Sequence, residues 1–583
     1  MKKTMSLLFL AICVLFSFCN KNVDNNNNNG GGGNNGGGGN TDSTPVITTP
    51  SDPALANSIG FFMDQWQAKT FTAPSYKDTT APTSASITIN VDASTILTKI
   101  SPYLFGNNAN LWMNDFSDNT LLKYITDLKP KVLRFPGGSI SDVFFWNQPN
   151  NTPPADAPST FVNADGTTSA AGYWYGTNDG SWTCSVDKYY QMLQQTGNEG
   201  IITINYGYAR YSTAADPVAA AAHLAADWVR YDKGRTKYWE IGNENHGTWE
   251  TGYRIDLSQN KDGQPEIITG TLYGTHFKVF ADSMRQAANE TGAKIYIGAL
   301  LISQQPQSWQ TSTEQNWNNG VLTAAADMPD YYITHDYFTA YQTNAGPSEI
   351  LSSATTVPSV VYNYLTKSVQ NAGVPSKPFA LTEWNIFSQG SQQMVSYVAG
   401  MHAVLTINEL MKNRFGFASR WDLANGWDNG NDHGMFSQGG EPNVPMWNPR
   451  PAFYYYYFMQ KMLGDRCINA SVSGAGNINA YASTFSSGEI GVTLVNQSTS
   501  SQTIKLAYAN FNAGKRFYWY TLTGGSDNGS FSRKVYVNGD GTTLPAGGPS
   551  DYATVKAYSA SATNGVYVTL PPMSVVFIAV DKK

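Results

Sequence analysis

Residues 237–245, Lys-Tyr-Trp-Glu-Ile-Gly-Asn-Glu-Asn, run from a short β-forming segment directly into a polar turn. Aromatic and β-branched residues favour a strand over 237–241, and the glycine that follows favours its end. Further strands are predicted over 131–135, 200–205, 294–301, 331–335, 378–382 and 417–421. Helices are predicted between them, over 217–231, 274–291, 358–372 and 392–413. This alternation predicts an α/β fold, a closed (β/α)8 barrel with parallel strands.

The C-terminal part of the chain has a different pattern. From residue 464 the helical segments stop, and Gly-, Asn- and Ser-rich turns separate short β-forming runs. These runs predict an antiparallel β-sandwich over 464–583. An alternating stretch at 86–91 predicts an early strand, within 86–102, that joins the sandwich. The barrel is therefore expected to occupy 103–463.

The N-terminus has the features of an export signal. Lys2 and Lys3 precede a short apolar run over 5–18, which is too short to span a bilayer comfortably. Cys19 follows it and resembles the lipidated cysteine of a bacterial lipoprotein, with plain secretion or a retained anchor as alternatives. Residues 19–85 are expected to be a flexible tether, because 25–40 contain only Asn and Gly. We therefore expect a cell-surface or periplasmic lipoprotein that touches a membrane only through its lipid.

Composition restricts the partners. The net charge is −6 and charged residues make up only 14% of the chain, so no basic field favours nucleic acid. Fifteen Trp and 34 Tyr, with many neutral hydrogen-bonding side chains, suit a carbohydrate. The six His show no metal-ligand spacing and no phosphate-binding loop is present, so no metal or cofactor is expected. Oxygen side chains crowd the loop around Asp428; a calcium site is conceivable there, but a solvated turn or a sugar-binding rim is favoured.

Two glutamates follow predicted barrel strands. Glu244 comes after the strand at 237–241, and Glu383 after the strand at 378–382. Active sites of such barrels lie at the carboxyl ends of the strands, where these two side chains would meet. A pair of carboxyl groups is what glycosidic bond cleavage requires, with one protonated and the other ionised. Glu240, inside its strand, is expected to be a salt-bridge residue.

The motifs occur in the order found in one enzyme class. Residues 237–244 and 381–385 resemble the acid/base and nucleophile motifs of the clan A retaining glycoside hydrolases. Residues 133–138, Leu-Arg-Phe-Pro-Gly-Gly, are similar to a segment of the arabinofuranosidase branch, glycoside hydrolase family 51 and its relatives. Residues 334–337 resemble the His-x-Tyr that supports the nucleophile, and 570–576 the last sandwich strand. Residues 104–110, however, lack the Glu that the family places on the first barrel strand.

The resemblance implies roles for individual residues. It makes Glu244 the proton donor and Glu383 the nucleophile, with Asn243 on the sugar hydroxyl beside the reacting carbon. Arg134 is expected beneath the nucleophile, where it would keep Glu383 ionised. Further residues are expected to support the nucleophile or contact the sugar: His335, Tyr337, Trp384, Trp421 and Asn205.

The expected function is that of a retaining glycoside hydrolase, with an α-L-arabinofuranoside of plant polysaccharide as the first substrate. An endo-acting β-glycanase of the same clan, acting on a neutral glucan, xylan or algal galactan, is held almost equally. Two alternatives of other classes are a non-catalytic carbohydrate-binding surface lipoprotein and a structural one. The intact glutamate pair argues against the binding protein, because binding alone needs neither carboxyl group.

Overall fold

The computed structural model describes residues 50–113, 116–180, 183–474 and 477–583. The predicted export signal, Cys19 and the first part of the tether lie outside the described residues. The described residues all belong to one compact unit. Among the helices of the described residues, none is both long enough and apolar enough to cross a membrane.

Eight parallel strands of the described residues close into a barrel, which confirms the predicted fold class. In chain order they are β1 (Gly106–Asn108), β2 (Val132–Phe135), β3 (Glu199–Ile204), β4 (Tyr238–Ile241), β5 (Tyr296–Leu300), β6 (Tyr331–Tyr337), β7 (Phe379–Asn385) and β8 (Phe417–Arg420). Each strand pairs with its sequence neighbour, and β8 closes the ring on β1. The strand order therefore places the eight carboxyl ends around one rim.

Helices surround the barrel. Those of the described residues are Asn119–Leu128, Val186–Thr196, Tyr208–Tyr211, Pro217–Asp232, Gly270–Thr291, Ser312–Ala325, Pro347–Ala372, Tyr397–Lys412 and Pro451–Met462. Their ends follow capping chemistry: Asp216 accepts from the backbone of Ala219, and Thr311 with Glu314 forms a capping box. The helix expected to start at Pro358 instead starts at Pro347. Its first-turn proline is the earlier one, and Pro358 lies inside the helix.

Short elements occupy the loops. They are the 3₁₀ turns Gly60–Met63, Pro102–Leu104, Leu111–Met113, Gly138–Val143, Gln393–Val395 and Gly529–Phe531, and the short strands Phe144–Phe145, Thr160–Val162, Thr168–Ala170, Trp174–Tyr175, Ala424–Asn425 and Phe436–Ser437. Most lie in connections at the carboxyl rim, where loops shape a site rather than the barrel itself.

The C-terminal β-region is one mixed sheet that curls around its own apolar core. Its strands within the described residues are Tyr76–Asp78, Ile87–Lys99, Arg466–Ser473, Ile478–Thr484, Ile490–Asn496, Gln502–Ala509, Ala513–Gly524, Val535–Val537, Ala557–Ser561, Val566–Leu570 and Ser574–Lys582. Most neighbours are antiparallel, but two pairs are parallel. Ile87–Lys99 runs parallel to Gln502–Ala509, and Tyr76–Asp78 parallel to Ala557–Ser561. The N-terminal strands thus complete the C-terminal sheet.

The prediction of a flexible tether is wrong for the described part of residues 19–85, because its aromatic side chains find a place to be buried. The turn Gly60–Met63 covers the amino end of the barrel, and Tyr76–Asp78 is a strand of the C-terminal sheet. Phe62 is fully buried, and its ring lies 5.2–5.8 Å from those of Tyr103, Tyr238, Tyr331 and Phe417, residues at or near the starts of barrel strands. Aromatic rings at these separations pack favourably and exclude water. Side-chain packing therefore closes the amino end of the barrel, so a site inside the barrel can be reached only from the carboxyl rim.

Candidate active site

The two predicted glutamates meet at the carboxyl rim. Glu383 lies near the end of β7, and Glu244 lies on the loop after β4. One carboxylate oxygen of Glu244 and one of Glu383 lie within 4.8 Å of each other. Their side chains are 19% and 7% exposed, so both are shielded but open to the rim. Residues 139 positions apart in the chain are thereby brought to one point.

A register change in the barrel turns Glu383 toward its neighbours. Thr334 pairs with Leu381, but the next residue, His335, pairs with Glu383, so one residue of β7 is skipped. Such a bulge re-aims the side chains on either side of it. As a result, Tyr337 donates its hydroxyl to Oε1 of Glu383 at 2.7 Å.

Arg134 on β2 lies beneath the pair and is fully buried. Its Nε donates to Oε2 of Glu240 at 2.6 Å, and its Nη1 donates to Oε2 of Glu383 at 3.2 Å. Nη1 also donates to Asn108 Oδ1 at 3.0 Å, and Nη2 donates to Asn243 Oδ1 at 2.9 Å. One guanidinium therefore joins side chains from β1, β4 and β7 and from the loop after β4. Glu240 is a buried salt-bridge residue, as the sequence indicated.

Glu244 is held in a constrained position. Its backbone has φ +44°, in the left-handed region that non-glycine residues rarely adopt. His335 Nδ1 lies 2.9 Å from Oε1 of Glu244, and the indole N–H of Trp249 donates to Oε2 at 3.0 Å. His335 Nδ1 also lies 3.7 Å from Oε2 of Glu383. The imidazole therefore stands between the two carboxyl groups.

The two carboxyl groups have opposite pKa shifts. Burial acts to raise the pKa of Glu244, but the hydrogen bond and electrostatic interaction with His335 outweigh it and hold that pKa well below the usual range. Burial raises the pKa of Glu383, and the charge of Glu244 adds to this against the lowering effects of His335, Arg134 and Tyr337. For Arg134, burial acts to lower the pKa, but the charges of Glu240 and Glu383 raise it above its ordinary value. The guanidinium thus stays charged.

Two buried acids that the sequence analysis missed hold Asn243. Asp142 accepts from the backbone N–H groups of Tyr206, Gly207 and Asn243 at 3.0–3.1 Å, and burial raises its pKa to about 7. Glu250 accepts from Asn243 Nδ2 at 3.0 Å, and burial raises its pKa well above the usual range. Both acids lie in loops that follow barrel strands, which is the signal that could have found them.

Two of the other predicted sugar contacts are corrected by the structure. Trp384 follows the inward-facing Glu383, so its side chain points outward; it is fully buried beside the rings of Phe338 and His402. Asn205 is also buried, and its side-chain amide forms hydrogen bonds within the protein. Its Nδ2 donates to the Phe144 carbonyl and to the Tyr211 hydroxyl, and its Oδ1 accepts from the backbone of Tyr208. Trp384 is thus a packing residue, and Asn205 shapes the loop after β3.

Trp421 remains at the rim. It is half-buried, and its ring centroid lies 5.7 Å from that of Trp112. A Cβ on Gly138 would lie 2.9 Å from the Trp421 ring, and Gly138 has φ +60°, so only glycine fits there comfortably. The indole of Trp421, at the end of β8, therefore packs against Gly138 in the loop after β2.

Oxygen atoms of the loop around Asp428 accept hydrogen bonds from groups of the protein itself. Asp432 forms a buried ion pair with Arg450, and Asn431 Oδ1 accepts from the backbone of Gly390 at 2.7 Å. The oxygens of Asp432 and Asn431 are thus used to fix the loop, and nothing in these contacts favours a calcium ion.

Comparison with known proteins shows a consistent likeness. A family model described as the alpha-L-arabinofuranosidase 1 domain matches residues 124–346. An intracellular exo-α-(1→5)-L-arabinofuranosidase from Streptomyces lividans is 23% identical over 281 residues, which is 46% of this chain. The matched stretch spans 37% of that relative's length.

Solved structures share the fold. An α-L-arabinofuranosidase from Thermotoga maritima, crystallised with arabinose, superposes with a TM-score of 0.57 at 18% identity over 85% of this chain and all of that one. A family 44 xyloglucanase from Paenibacillus polymyxa superposes with a TM-score of 0.55 at 14% identity over 86% of this chain and all of that one. The predicted resemblance to the clan A glycoside hydrolases is confirmed. Within that class, the sequence likeness is to the α-L-arabinofuranosidase branch.

Arg134→Met tests whether the guanidinium organises this site. Removing one partner of a buried ion pair leaves an uncompensated charge, so we expect a loss of about 3–5 kcal/mol of unfolding free energy. Adding Glu240→Gln should recover part of that loss, because it removes one stranded charge. Arg230→Met, at an exposed pair with Glu290, should cost less than about 1 kcal/mol. Guanidinium denaturation measures the wild type, Arg134→Met, Glu240→Gln, the double variant and the Arg230→Met control; a loss in the double variant equal to the sum of the two single losses would contradict the coupling.

Proposed function

We propose that the protein is a retaining glycoside hydrolase. The observation that carries this proposal is the approach of a Glu244 oxygen to within 4.8 Å of a Glu383 oxygen. Retaining enzymes hold their two carboxyl groups about 5–5.5 Å apart, while inverting enzymes leave about 6.5–9.5 Å for a water molecule. The family match and the arabinofuranosidase relative support the same class.

The reaction has two displacements. First, a Glu383 oxygen forms a bond to the anomeric carbon while the bond from that carbon to the leaving oxygen breaks, and the leaving oxygen takes a proton from Glu244. Then Glu244 takes a proton from water, the water oxygen bonds to the anomeric carbon, and the bond to Glu383 breaks. In each step one proton is transferred, one bond to the anomeric carbon forms and one breaks. After the second step Glu244 is protonated and Glu383 is ionised again, as at the start.

His335 governs where the proton lies. The pKa of Glu244 is lowered, since its contact with His335 outweighs burial, and burial raises the pKa of Glu383, which is the reverse of the order that the first step needs. With Glu383 ionised, transfer of the Nδ1 proton across the 2.9 Å contact to Oε1 of Glu244 gives the productive arrangement. The transfer also removes the Glu244 charge that raises the pKa of Glu383. The donors from Tyr337 and Arg134 then stabilise the ionised nucleophile.

Asn243 is proposed to bind the sugar hydroxyl next to the reacting carbon. Its side chain is fixed on both sides, by Arg134 at Oδ1 and by Glu250 at Nδ2. A group held in place before substrate arrives loses little entropy on binding, which favours the transition state. Asp142 is a positioning residue, because it anchors the backbone of Asn243 and is itself fully buried.

Glu383→Ala should lower kcat by at least on the order of 10⁴-fold, because the covalent step loses its nucleophile. Glu244→Ala should lower kcat by on the order of 10²–10⁴-fold on poor leaving groups and less on activated aryl glycosides, with added azide restoring part of the rate. Glu290→Ala, on the surface, is the matched control. Steady-state kinetics measure these changes. A Glu383→Ala protein that keeps most of its activity would contradict the role of Glu383 as the nucleophile. An equal loss of activity on all substrates in Glu244→Ala, without recovery in azide, would contradict the role of Glu244 as the acid/base.

The proposed substrate is an α-L-arabinofuranoside of a neutral polysaccharide. The family match over residues 124–346 and the Streptomyces relative support this choice. One observation favours the second candidate, an endo-β-glycanase. Three aromatic side chains on successive rim loops are well exposed, Trp249 at 57%, Trp309 at 82% and Tyr341 at 66%. Exposed rings of this kind can stack on several sugars of a long chain.

A panel of aryl glycosides and purified polysaccharides distinguishes the two. We expect release of arabinose from an aryl α-L-arabinofuranoside and from arabinan, with Trp309→Ala unchanged on both. Internal cleavage of a glucan or xylan without free arabinose, together with a raised KM for the polymer in Trp309→Ala, would instead establish the endo-acting alternative. Thin-layer chromatography of early products separates the outcomes.

We also propose that the chain is exported and lipidated at Cys19, a proposal that rests on the sequence of residues 1–40. A lipid anchor followed by an Asn/Gly tether would hold the enzyme near polysaccharide outside the cell. The full chain expressed in a bacterium should incorporate labelled palmitate, and Cys19→Ala should not. Equal labelling of both proteins would contradict lipidation at this residue.

A further inference from the structure

Three side chains of the rim present one ligand atom each to the same point. One carboxylate oxygen of Glu244, one ring nitrogen of His335 and one carboxylate oxygen of Glu383 all lie within 4.8 Å of one another. Nδ1 is 2.9 Å from the Glu244 oxygen and 3.7 Å from Oε2 of Glu383. Ligand atoms around a tetrahedral Zn²⁺ lie about 3.3–3.5 Å apart, given bond lengths near 2.0–2.2 Å. These two separations lie on either side of that spacing, and the Glu244 and Glu383 oxygens, within 4.8 Å of each other, would move closer together to share one ion.

The outer atom of each of these side chains is fixed by the protein. His335 Nε2 lies 3.2 Å from the hydroxyl of Thr382, so a hydrogen on Nε2 leaves Nδ1 with a lone pair toward the cleft. Oε2 of Glu244 accepts from Trp249, and Oε1 of Glu383 accepts from Tyr337. Metal-binding histidines and carboxylates are oriented by outer hydrogen bonds of this kind.

The charges in this site also favour a cation. Among the ion pairs of the described residues, Arg134 meets Glu240 and Glu383, and Glu244 adds a third carboxylate across His335. With His335 neutral, three carboxylates and one guanidinium give a formal charge of −2. A divalent ion would balance that charge. Arg134 Nη1, 3.2 Å from Oε2 of Glu383, opposes the ion and limits its affinity.

We propose that, when no sugar is bound, Glu244, His335 and Glu383 together bind a divalent transition-metal ion such as Zn²⁺, and that the ion blocks catalysis. One imidazole with two carboxylates suits Zn²⁺ better than Mg²⁺ or Ca²⁺, which prefer oxygen ligands alone. Three protein ligands leave the fourth position toward the cleft. The bound ion occupies both carboxyl groups that hydrolysis needs. The inhibition rests on the proposed function; the binding does not.

Binding is measured first, by isothermal titration of the EDTA-treated, dialysed full chain with ZnCl₂ and, separately, with MgCl₂. We expect one Zn²⁺ per chain and no heat from Mg²⁺. Thr382→Val, which removes the outer partner of His335, should weaken Zn²⁺ binding by about 10–100-fold. His335→Ala should weaken it at least as much, while His223→Ala, an exposed histidine away from the site, should leave it unchanged. Circular dichroism checks that each variant is folded.

Inhibition is measured second, with the substrate found by the panel. Zn²⁺ should inhibit competitively, with an inhibition constant equal to the dissociation constant from calorimetry. Absence of Zn²⁺ binding, or binding unchanged in folded His335→Ala and Thr382→Val, would overturn the metal site. Binding at His335 without effect on hydrolysis would overturn the inhibition. Binding of Zn²⁺ by a protein that hydrolyses no glycoside would support the metal site and count against the proposed function instead.

Discussion

The buried guanidinium of Arg134 is the constraint on which the site depends. A charge placed inside a barrel is costly unless it is paired and its hydrogen-bond donors are satisfied. Here the pairing draws Glu240, Glu383, Asn243 and Asn108 to one cation, from strands far apart in the chain. Because an unpaired buried arginine is costly, these contacts fix the positions of Glu383 and Asn243 relative to each other.

The bulge between β6 and β7 adds the second requirement. In a regular parallel pair, alternate residues face opposite sides, so His335, Tyr337 and Glu383 could not all be aimed by register alone. Skipping Thr382 brings Tyr337 onto one oxygen of Glu383 and His335 between the two carboxyl groups. Thr382 itself then lies beside Nε2 of His335. The local irregularity therefore supplies both a hydrogen-bond donor to Glu383 and an imidazole placed between the two carboxyl groups.

Strand ends and carboxylates could be predicted from the sequence because both are local signals. The β-forming run at 237–241 and the glycine after it locate Glu244, and the barrel topology then implies that Glu383 is its neighbour. The direction in which a side chain points was harder to predict from the sequence. Trp384 is one position after Glu383 and therefore points away from the barrel interior, toward His402 of the helix Tyr397–Lys412. The nearby bulge changes which strand residues face inward, and the sequence does not mark it. The position of Asp142 and Glu250 in loops after barrel strands marks them as candidates, but their role of holding Asn243 by hydrogen bonds is visible only in the tertiary contacts. The parallel strands that residues 76–78 and 87–99 add to the C-terminal sheet are likewise set by long-range pairing.

The stereochemistry of the first product tests the central claim most directly. If Glu383 attacks the sugar and Glu244 later activates water, the anomeric configuration is inverted twice and so retained. Proton NMR recorded in the first minutes of hydrolysis, before mutarotation, distinguishes the anomers. The account predicts that the initial sugar has the configuration of the substrate; an initial product of the opposite configuration would contradict it.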